Sequence, residues 1–507
     1  MNFIMPYCQS PKRVLYAIIL FVVLVLSSTP IFGFSLQHQD LANPENEPLP
    51  VHPLPTERQI LWNETEFYAF FHFGMNTFTD KEWGFGNEDE SLYAPKGKPN
   101  PRQWLEAVKD AGMKGGIAVV KHHDGFCLWP TETTDHSIVN CGNEYGMVNI
   151  PDEFAKAAKD LDMKYGFYVS PWDRNSAFYG DGTDRYTRDV FLRQCAELAQ
   201  YGDDQFEMWF DGANGGDGYY GGANTTRNIE ADIYYDIPNL RDSIHNVMPN
   251  CVMWGVGGEA RWIGNEAGWA GETNWSLGAD SRTTGDIDAY EWCGGEADTK
   301  ATNKGWFWHE GQTMRPLDTL WKFYMETVGR NATLILNIPP NDYGLIPEAD
   351  VETLKEFGDI LSQRLGNDLA TDAIVTVTDT RQAGQTRNYE AKNLIDGDKD
   401  TYWAPNDDVT DAYITFEFPE KRNVHLVSLM EYIRKGQRVK SFDVEISEDG
   451  ETWAQIPYAN TTTIGYKRIV PLNGSTEEYG PGYDIKGLRV HIKDAKAAPL
   501  LHTISIY

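Results

Sequence analysis

Basic residues are scarce in this chain: 44 Lys and Arg stand against 75 Asp and Glu in 507 residues, a net charge of −31. A field of that sign excludes a nucleic-acid binder, which needs a basic surface to displace counterions, and it disfavours adsorption to an anionic membrane. Cysteine is nearly as sparse. Beyond Cys8 there are only Cys127, Cys141, Cys195, Cys251 and Cys293, an odd and scattered set with neither a disulfide framework nor zinc-ligand spacing. Long apolar runs are missing after the first 33 residues, so no later segment reads as a membrane span. No Gly-x-Gly-x-x-Gly follows the first strand candidate, which removes the signature of a dinucleotide fold.

What is present begins with an export pattern. Lys12 and Arg13 precede an apolar run from Val14 to Leu26, then Ser27-Ser28-Thr29-Pro30 and Gly33. Residues 1–33 read as a signal peptide, which implies a periplasmic or secreted bacterial protein. The remaining length exceeds what one core serves. Residues 34–366 alternate short apolar runs with amphipathic stretches. Strand candidates are Phe67–Phe73, Gly115–Val120, Tyr165–Ser170, Glu207–Phe210, Cys251–Val256, Trp306–His309 and Thr333–Ile338. Helical stretches begin at Pro101, Pro151 and Thr187. The pattern predicts an α/β fold, a (β/α)8-like barrel, because polar and aromatic residues gather at successive strand ends. From 367 to 507 helical periodicity gives way to β-rich alternation, read as a C-terminal β-sandwich. Asn63, Asn274 and Asn331 head Asn-x-Ser/Thr triplets, but Asn331 adjoins an apolar run, no place for a glycan, and the triplets are read as chance.

The chemistry centres on Met208-Trp209-Phe210-Asp211-Gly212. A carboxylate where a barrel strand meets a Gly-rich loop sits where such folds keep their catalysts; the alternative is an Asp that merely caps the next turn. Aromatics make up 13% of the chain, with 16 Trp, and indole faces are suited to stacking on sugars. Cleaving a glycosidic bond takes two carboxyl groups flanking the anomeric carbon. Asp211 is the candidate nucleophile. Glu259, Glu266 and Glu272 compete for the acid/base role, and Glu266 is preferred because Trp262 and Trp269 could supply the apolar flank that raises a carboxyl pKa. His72, His122, His123, Tyr168 and Trp172 at strand ends, the Glu82-Trp83 pair, and Trp308 complete the candidate substrate-binding set. Adjacent strand histidines point to opposite faces, so His122-His123 is read as binding sugar hydroxyls rather than a metal.

Phe71-His72-Phe73-Gly74, Glu82-Trp83, Lys121-His122-His123-Asp124-Gly125-Phe126, Leu128-Trp129-Pro130 and Trp209-Phe210-Asp211-Gly212 together resemble the α-L-fucosidases of glycoside hydrolase family 29. The resemblance implies a retaining mechanism with Asp211 as nucleophile, a fucose pocket from the residues named above, and no metal or organic cofactor. Arg261 to Gly268 and Asn337-Ile338-Pro339-Pro340-Asn341 resemble the subgroup acting on α-1,3/1,4-linked fucose of branched glycans, which points to Glu266 as acid/base. Asn393-Leu394-Ile395-Asp396-Gly397 with Thr401-Tyr402-Trp403, and Ile446 to Trp453, resemble a discoidin-like (F5/8 type C) domain. Such domains bind sugars in some proteins and hold a structural calcium in others, for which Asp396 and Asp400 are the candidates here. The expected partners are fucosylated oligosaccharides or glycoconjugates. Two alternatives stay open: a non-catalytic glycan-binding protein, and a retaining glycosidase for a related sugar such as galactose.

Overall fold

The computed structural model describes residues 43–255, 258–457 and 461–507; the export-signal segment lies outside them. Eight parallel strands close a barrel: β1 (Phe67–Phe71), β2 (Gly115–Lys121), β3 (Lys164–Val169), β4 (Glu207–Phe210), β5 (Val252–Gly255), β6 (Ala260–Trp262), β7 (Gly294–Lys300) and β8 (Ala332–Asn337). Each pairs with its sequence neighbours, and β8 closes on β1 through Phe67↔Leu334 to Phe70↔Asn337.

Strand alternation explains the layering. In β1, Phe67, Ala69 and Phe71 face outward into the core shared with the helices, where Trp104, Phe154 and Phe357 meet them. Tyr68 and Phe70 point into the barrel with Ile117, Val119, Tyr168, Trp209 and Trp254. The helix Pro101–Asp110 forms where its signals say it should. Asn100 caps it by accepting from the Gln103 amide, Pro101 stands in the first turn, and Trp104, Leu105 and Val108 give it a buried stripe. Gly112 ends it at φ 82°.

One reading of the sequence is corrected. Trp306–His309 is not a strand; that stretch is a loop, and the barrel is closed instead by β7 and by the three-residue β6. Strand β7 reads Gly-Gly-Glu-Ala-Asp-Thr-Lys, without an apolar run, because its interior-facing residues are acids. The C-terminal sandwich is as expected. A five-stranded antiparallel sheet (Ile374–Val377, Ala412–Val424, Tyr483–Ala495, Val439–Ser447, Ala454–Gln455) shares one core with a three-stranded sheet (Arg468–Pro471, Leu426–Glu431, Leu501–Ile506).

The two parts are tightly joined. Asn331 donates to the Asn274 carbonyl at 2.7 Å and accepts from the Tyr466 amide at 2.7 Å, while Asn274 donates to the carbonyls of Arg330 and Asn331. Asn63, Asn274 and Asn331 are all buried, so none of these triplets carries a glycan on the folded chain.

Within the barrel lies an unusual pair. Glu207 and Glu296 are fully buried and face each other. Trp62 Nε1 donates to Glu207 at 3.1 Å, Trp209 Nε1 donates to Glu296 at 2.8 Å, and the Tyr68 hydroxyl also donates to Glu296. Burial pushes both carboxyl pKa values up, joined in Glu207 by repulsion from Glu296, and takes Glu296 to about 7 from 4.5. Two carboxyl groups in contact must share a proton. The folded chain therefore holds protons that the unfolded chain releases, and this stability is complete in acid and is partly lost as pH rises through about 7, where Glu296 titrates. Glu296→Gln keeps the hydrogen-bond geometry without the titration. Urea midpoints measured at about pH 5.5 and about pH 8.5 should differ less in Glu296→Gln than in the parent; equal differences would remove the shared proton.

Candidate active site

Period two carries the same strands up to the barrel mouth. Glu207, Trp209 and Asp211 lie on one interior line of β4 and its extension, and Glu296 and Asp298 lie on one line of β7. At the C-terminal mouth a cavity of about 110 Å³ is lined by Phe70, His72, Glu82, Trp83, His122, Tyr168, Trp209, Asp211, Glu266, Asp298 and Trp306. It adjoins a wider cleft of about 530 Å³, which shares Trp209, Asp211, Glu266 and Asp298 and is walled further by Trp254, Trp262 and Arg282.

Asp211 is held by two donors. The Tyr168 hydroxyl donates to Oδ2 at 3.0 Å, and the Ala213 amide donates to Oδ1 at 2.8 Å. Beneath it Tyr168 stacks on Trp209, and Trp209 stacks on Trp254 at 3.7 Å between ring centroids.

The histidines present lone pairs to a ligand. Asn337 spends its amide donor on the Trp306 carbonyl, so its Oδ1, 2.7 Å from His72, accepts from Nδ1–H. Ser170 spends its one proton on the Trp172 carbonyl, so it accepts from His123 Nδ1–H at 2.7 Å. In each ring Nε2 is left as an acceptor, and that of His123 stands 3.8 Å from Asp211 Oδ2. Burial keeps both rings neutral, lowering the pKa of His72 to about 3 and of His123 to about 4, and it pushes His122 down as well. Such rings accept hydrogen bonds from sugar hydroxyls across the neutral range.

Glu82 is fixed on both oxygens. The Trp306 amide donates to Oε2 at 2.7 Å, and His309 Nε2 lies 2.7 Å from Oε1. The other nitrogen of His309 meets Asp80, and these two carboxylates raise its pKa. Trp83 is 52% exposed and meets His123 and Trp172 edge to face.

Glu266 owes its place to the loop after β6. Arg261, on the outer face of β6, donates to the carbonyls of Trp275, Gly278, Arg282 and Cys293 and to Asn274 Oδ1, and so gathers the long segment between β6 and β7. Gly264 and Gly268, at φ 89° and 76°, bracket the turn bearing Glu266. Thr299 Oγ1 of β7 donates to the Glu266 carbonyl at 2.9 Å, and Ala267 pairs with Thr299.

The predicted residues are therefore largely assembled, with four corrections. Trp172 lies behind the cavity, buried, supporting Trp83 and His123, with Nε1 donating to Tyr220. His123 likewise stands beneath Asp211 rather than in the cavity wall. Trp308 is off the wall, and Trp306 takes its place because Glu82 and Asn337 clamp its backbone. The apolar enclosure expected for Glu266 is also missing, since its side chain is exposed and Trp269 lines neither cavity. Its competitors are used elsewhere. Glu259 pairs with Arg58 and His245, and Glu272 lies outside both cavities near Arg330. Sequence reasoning missed Phe70, Asp298 and Trp306. Phe70 was available from alternation back from His72; Asp298 sits in a strand that had no apolar signature.

A parallel barrel whose mouth combines several carboxyl side chains, Asp211 and Glu266 among them, with neutral histidines and indoles belongs to the class of glycoside hydrolases. The α-L-fucosidase family model matches residues 51–364, and the F5/8 type C domain model matches 375–492. The chain is 35% identical to α-L-fucosidase 1 of Arabidopsis thaliana over 91% of its own length and 88% of that protein. Its fold superposes on a putative α-L-fucosidase of Bacteroides thetaiotaomicron with a TM-score of 0.80, at 30% identity, covering 91% of this chain and 99% of that one. A fucosidase of Ruminococcus gnavus solved with fucose gives a TM-score of 0.78 at 29% identity, covering 91% and 96%. The chain belongs to the α-L-fucosidase family, glycoside hydrolase family 29, and is an α-L-fucosidase carrying a C-terminal F5/8 type C domain.

The Thr299 bond is a direct test of how the Glu266 turn is held. Thr299→Val removes one hydrogen bond at constant shape, worth about 1 kcal/mol. Fucose release should slow roughly fivefold in kcat, with a small loss of melting temperature and unchanged inhibition by free fucose. An unchanged kcat would mean the turn is held by its glycines alone.

Proposed function

We propose that the chain is an exported, retaining exo-α-L-fucosidase that removes terminal α-1,3/1,4-linked fucose from branched glycans. Asp211 attacks the anomeric carbon while Glu266 protonates the departing glycosidic oxygen. Water, deprotonated by Glu266, then releases fucose from the covalent intermediate. The observation that carries this reading is that Asp211 and Glu266, 55 positions apart in the sequence, line one small cavity. The two hydrogen bonds to Asp211 orient it toward the cavity, as a nucleophile needs. Glu266, at the junction of cavity and cleft, is positioned for a leaving group on the cleft side.

The sugar-binding roles follow the same geometry. His72 and His122 hydrogen-bond fucose hydroxyls, His123 supports Asp211 from beneath, Glu82 and Trp83 grip and stack on the ring, and Phe70 and Trp306 offer an apolar wall suited to the fucose methyl group. The wide cleft beyond Glu266 supports a branched aglycone. The reaction as proposed draws on no metal or organic cofactor. Asp396, the first calcium candidate, has both carboxyl oxygens engaged by its own loop, with Asp398 N and Thr401 Oγ1. Export rests on the N-terminal sequence pattern, and among the described residues no helix is long and apolar enough to cross a membrane.

The test is kinetic. Asp211→Asn should keep affinity for a fucosylated trisaccharide, measured by calorimetry, and lose several orders of magnitude in turnover. Glu266→Ala should regain activity with azide on a fucoside bearing a good leaving group, and early proton spectra of the parent reaction should show the α anomer of fucose. Near-normal turnover in Asp211→Asn, or azide rescue of Glu272→Ala instead, would overturn the assignment.

A further inference from the structure

Of the four residues shared by the inner cavity and the outer cleft, three are accounted for. Trp209 is tied to Glu296, and Asp211 and Glu266 carry the proposed chemistry. The fourth is Asp298, which no role above absorbs. It is 5% exposed, and what remains open faces these two spaces. Trp262 Nε1 donates to its Oδ1 at 2.7 Å. Its second oxygen has no protein partner among the described residues. A buried carboxyl with one free oxygen directed into a ligand cavity lacks half its hydrogen bonding until something binds.

We propose that Asp298 is a specificity-determining residue that joins the two subsites. One oxygen fixes the Trp262 indole in the cleft wall, and the other hydrogen-bonds an oxygen of the saccharide that bears the fucose. The proposal rests on the exo-fucosidase reading and names what that reading leaves open, the group that senses the sugar beyond the scissile bond.

Three observations converge on it. First, Trp262 carries the Arg282 guanidinium over its face at 5.2 Å, so fixing the indole places a cation as well as a stacking surface in the cleft. Second, burial, with added repulsion from Glu296 one layer below on β7 and Glu266 across the mouth, drives the Asp298 carboxyl pKa well up. The free oxygen then carries a proton and acts as a donor. Third, its surroundings need one: the inner wall offers the acceptor nitrogen of His72 and the Asp211 carboxylate, and a neutral carboxyl adds a donor without adding charge. Its ligand is the ring or hydroxyl oxygen of a neutral sugar unit linked to fucose.

The experiment uses the full chain and compares Asp298→Asn, Asp298→Ala and Trp262→Phe on two substrates, a branched fucosylated trisaccharide and a small aryl α-L-fucoside. Melting curves confirm that each variant folds. Asp298→Ala should lose roughly 10- to 100-fold in kcat/KM on the trisaccharide and change little on the aryl fucoside. Asp298→Asn, whose amide accepts from Trp262 and donates to the sugar, should restore most of the loss. Trp262→Phe, which keeps the ring but not its N–H, should cost less than Asp298→Ala. Equal losses on both substrates, a failed rescue by Asn, or a Trp262→Phe effect as large as that of Asp298→Ala would overturn the proposal, the last by making Asp298 only a peg for the indole. Calorimetric affinity for the trisaccharide, measured for Asp211→Asn with and without Asp298→Ala, decides the same question without turnover. A parent that releases no fucose but shows this affinity loss would fail the catalytic reading and leave the Asp298 assignment standing.

Discussion

The structure depends on a proton shared between Glu207 and Glu296 at the centre of the barrel. Without it two carboxylates would face each other in a medium that screens poorly, at a cost in stability. With it, Glu296 accepts from Trp209 and Tyr68, Glu207 accepts from Trp62, and the polar atoms of three large rings are satisfied where water is scarce. Trp209 is then a fixed shelf. Tyr168 stacks on one side of it and Trp254 on the other, and Tyr168 donates to Asp211. The orientation of the carboxylate at the mouth is thus set two layers below, by a group that never meets the ligand.

Much of this was readable in the sequence, for a specific reason. Strands β1 to β4 and β8 are apolar runs, and a fully buried parallel strand has no other way to read. The polar residues that end those runs, His72, His122, Tyr168 and Asp211, fell at the mouth because a barrel strand changes from core to site within one residue. The same logic hid β6 and β7. β6 is three residues long. β7 carries Glu296 and Asp298 on its interior face and small or polar residues between them, so it looks like a loop. The stretch Trp306–His309 looked like a strand because it is aromatic, yet those rings serve as walls and pegs around Glu82. Trp306 and Trp308 could not be told apart without the backbone clamp that turns one of them inward. The acid/base competition was similar: the indole flank that favoured Glu266 over Glu259 and Glu272 does not form, and the three are placed by Arg58, Thr299 and Arg330, distant in sequence.

Charge in the cavity is arranged rather than accumulated. The chain is strongly acidic, yet the histidines at the mouth are kept neutral by burial, and His72 and His123 have their protons directed into the protein by Asn337 and Ser170. His309, outside the cavity wall, is the ring whose pKa is raised, between Asp80 and Glu82. Neutral rings line the pocket and the imidazole of raised pKa stays behind Glu82, an arrangement that suits an uncharged, hydroxyl-rich ligand.

The loop that bears Glu266 runs on to the sandwich. The Glu272 carbonyl accepts from Arg468 at 2.6 Å, Thr273 donates to Thr462, the Ser276 amide donates to Gln437, and Trp275, Leu277 and Trp292 pack with Met430, Ile433 and Tyr466. A truncation after Leu365 would leave the barrel strands intact on paper while unmooring the far end of this segment and baring its indoles to solvent. In this chain, then, the appended module is no detachable accessory: trimming it away would also loosen the segment that borders the barrel mouth.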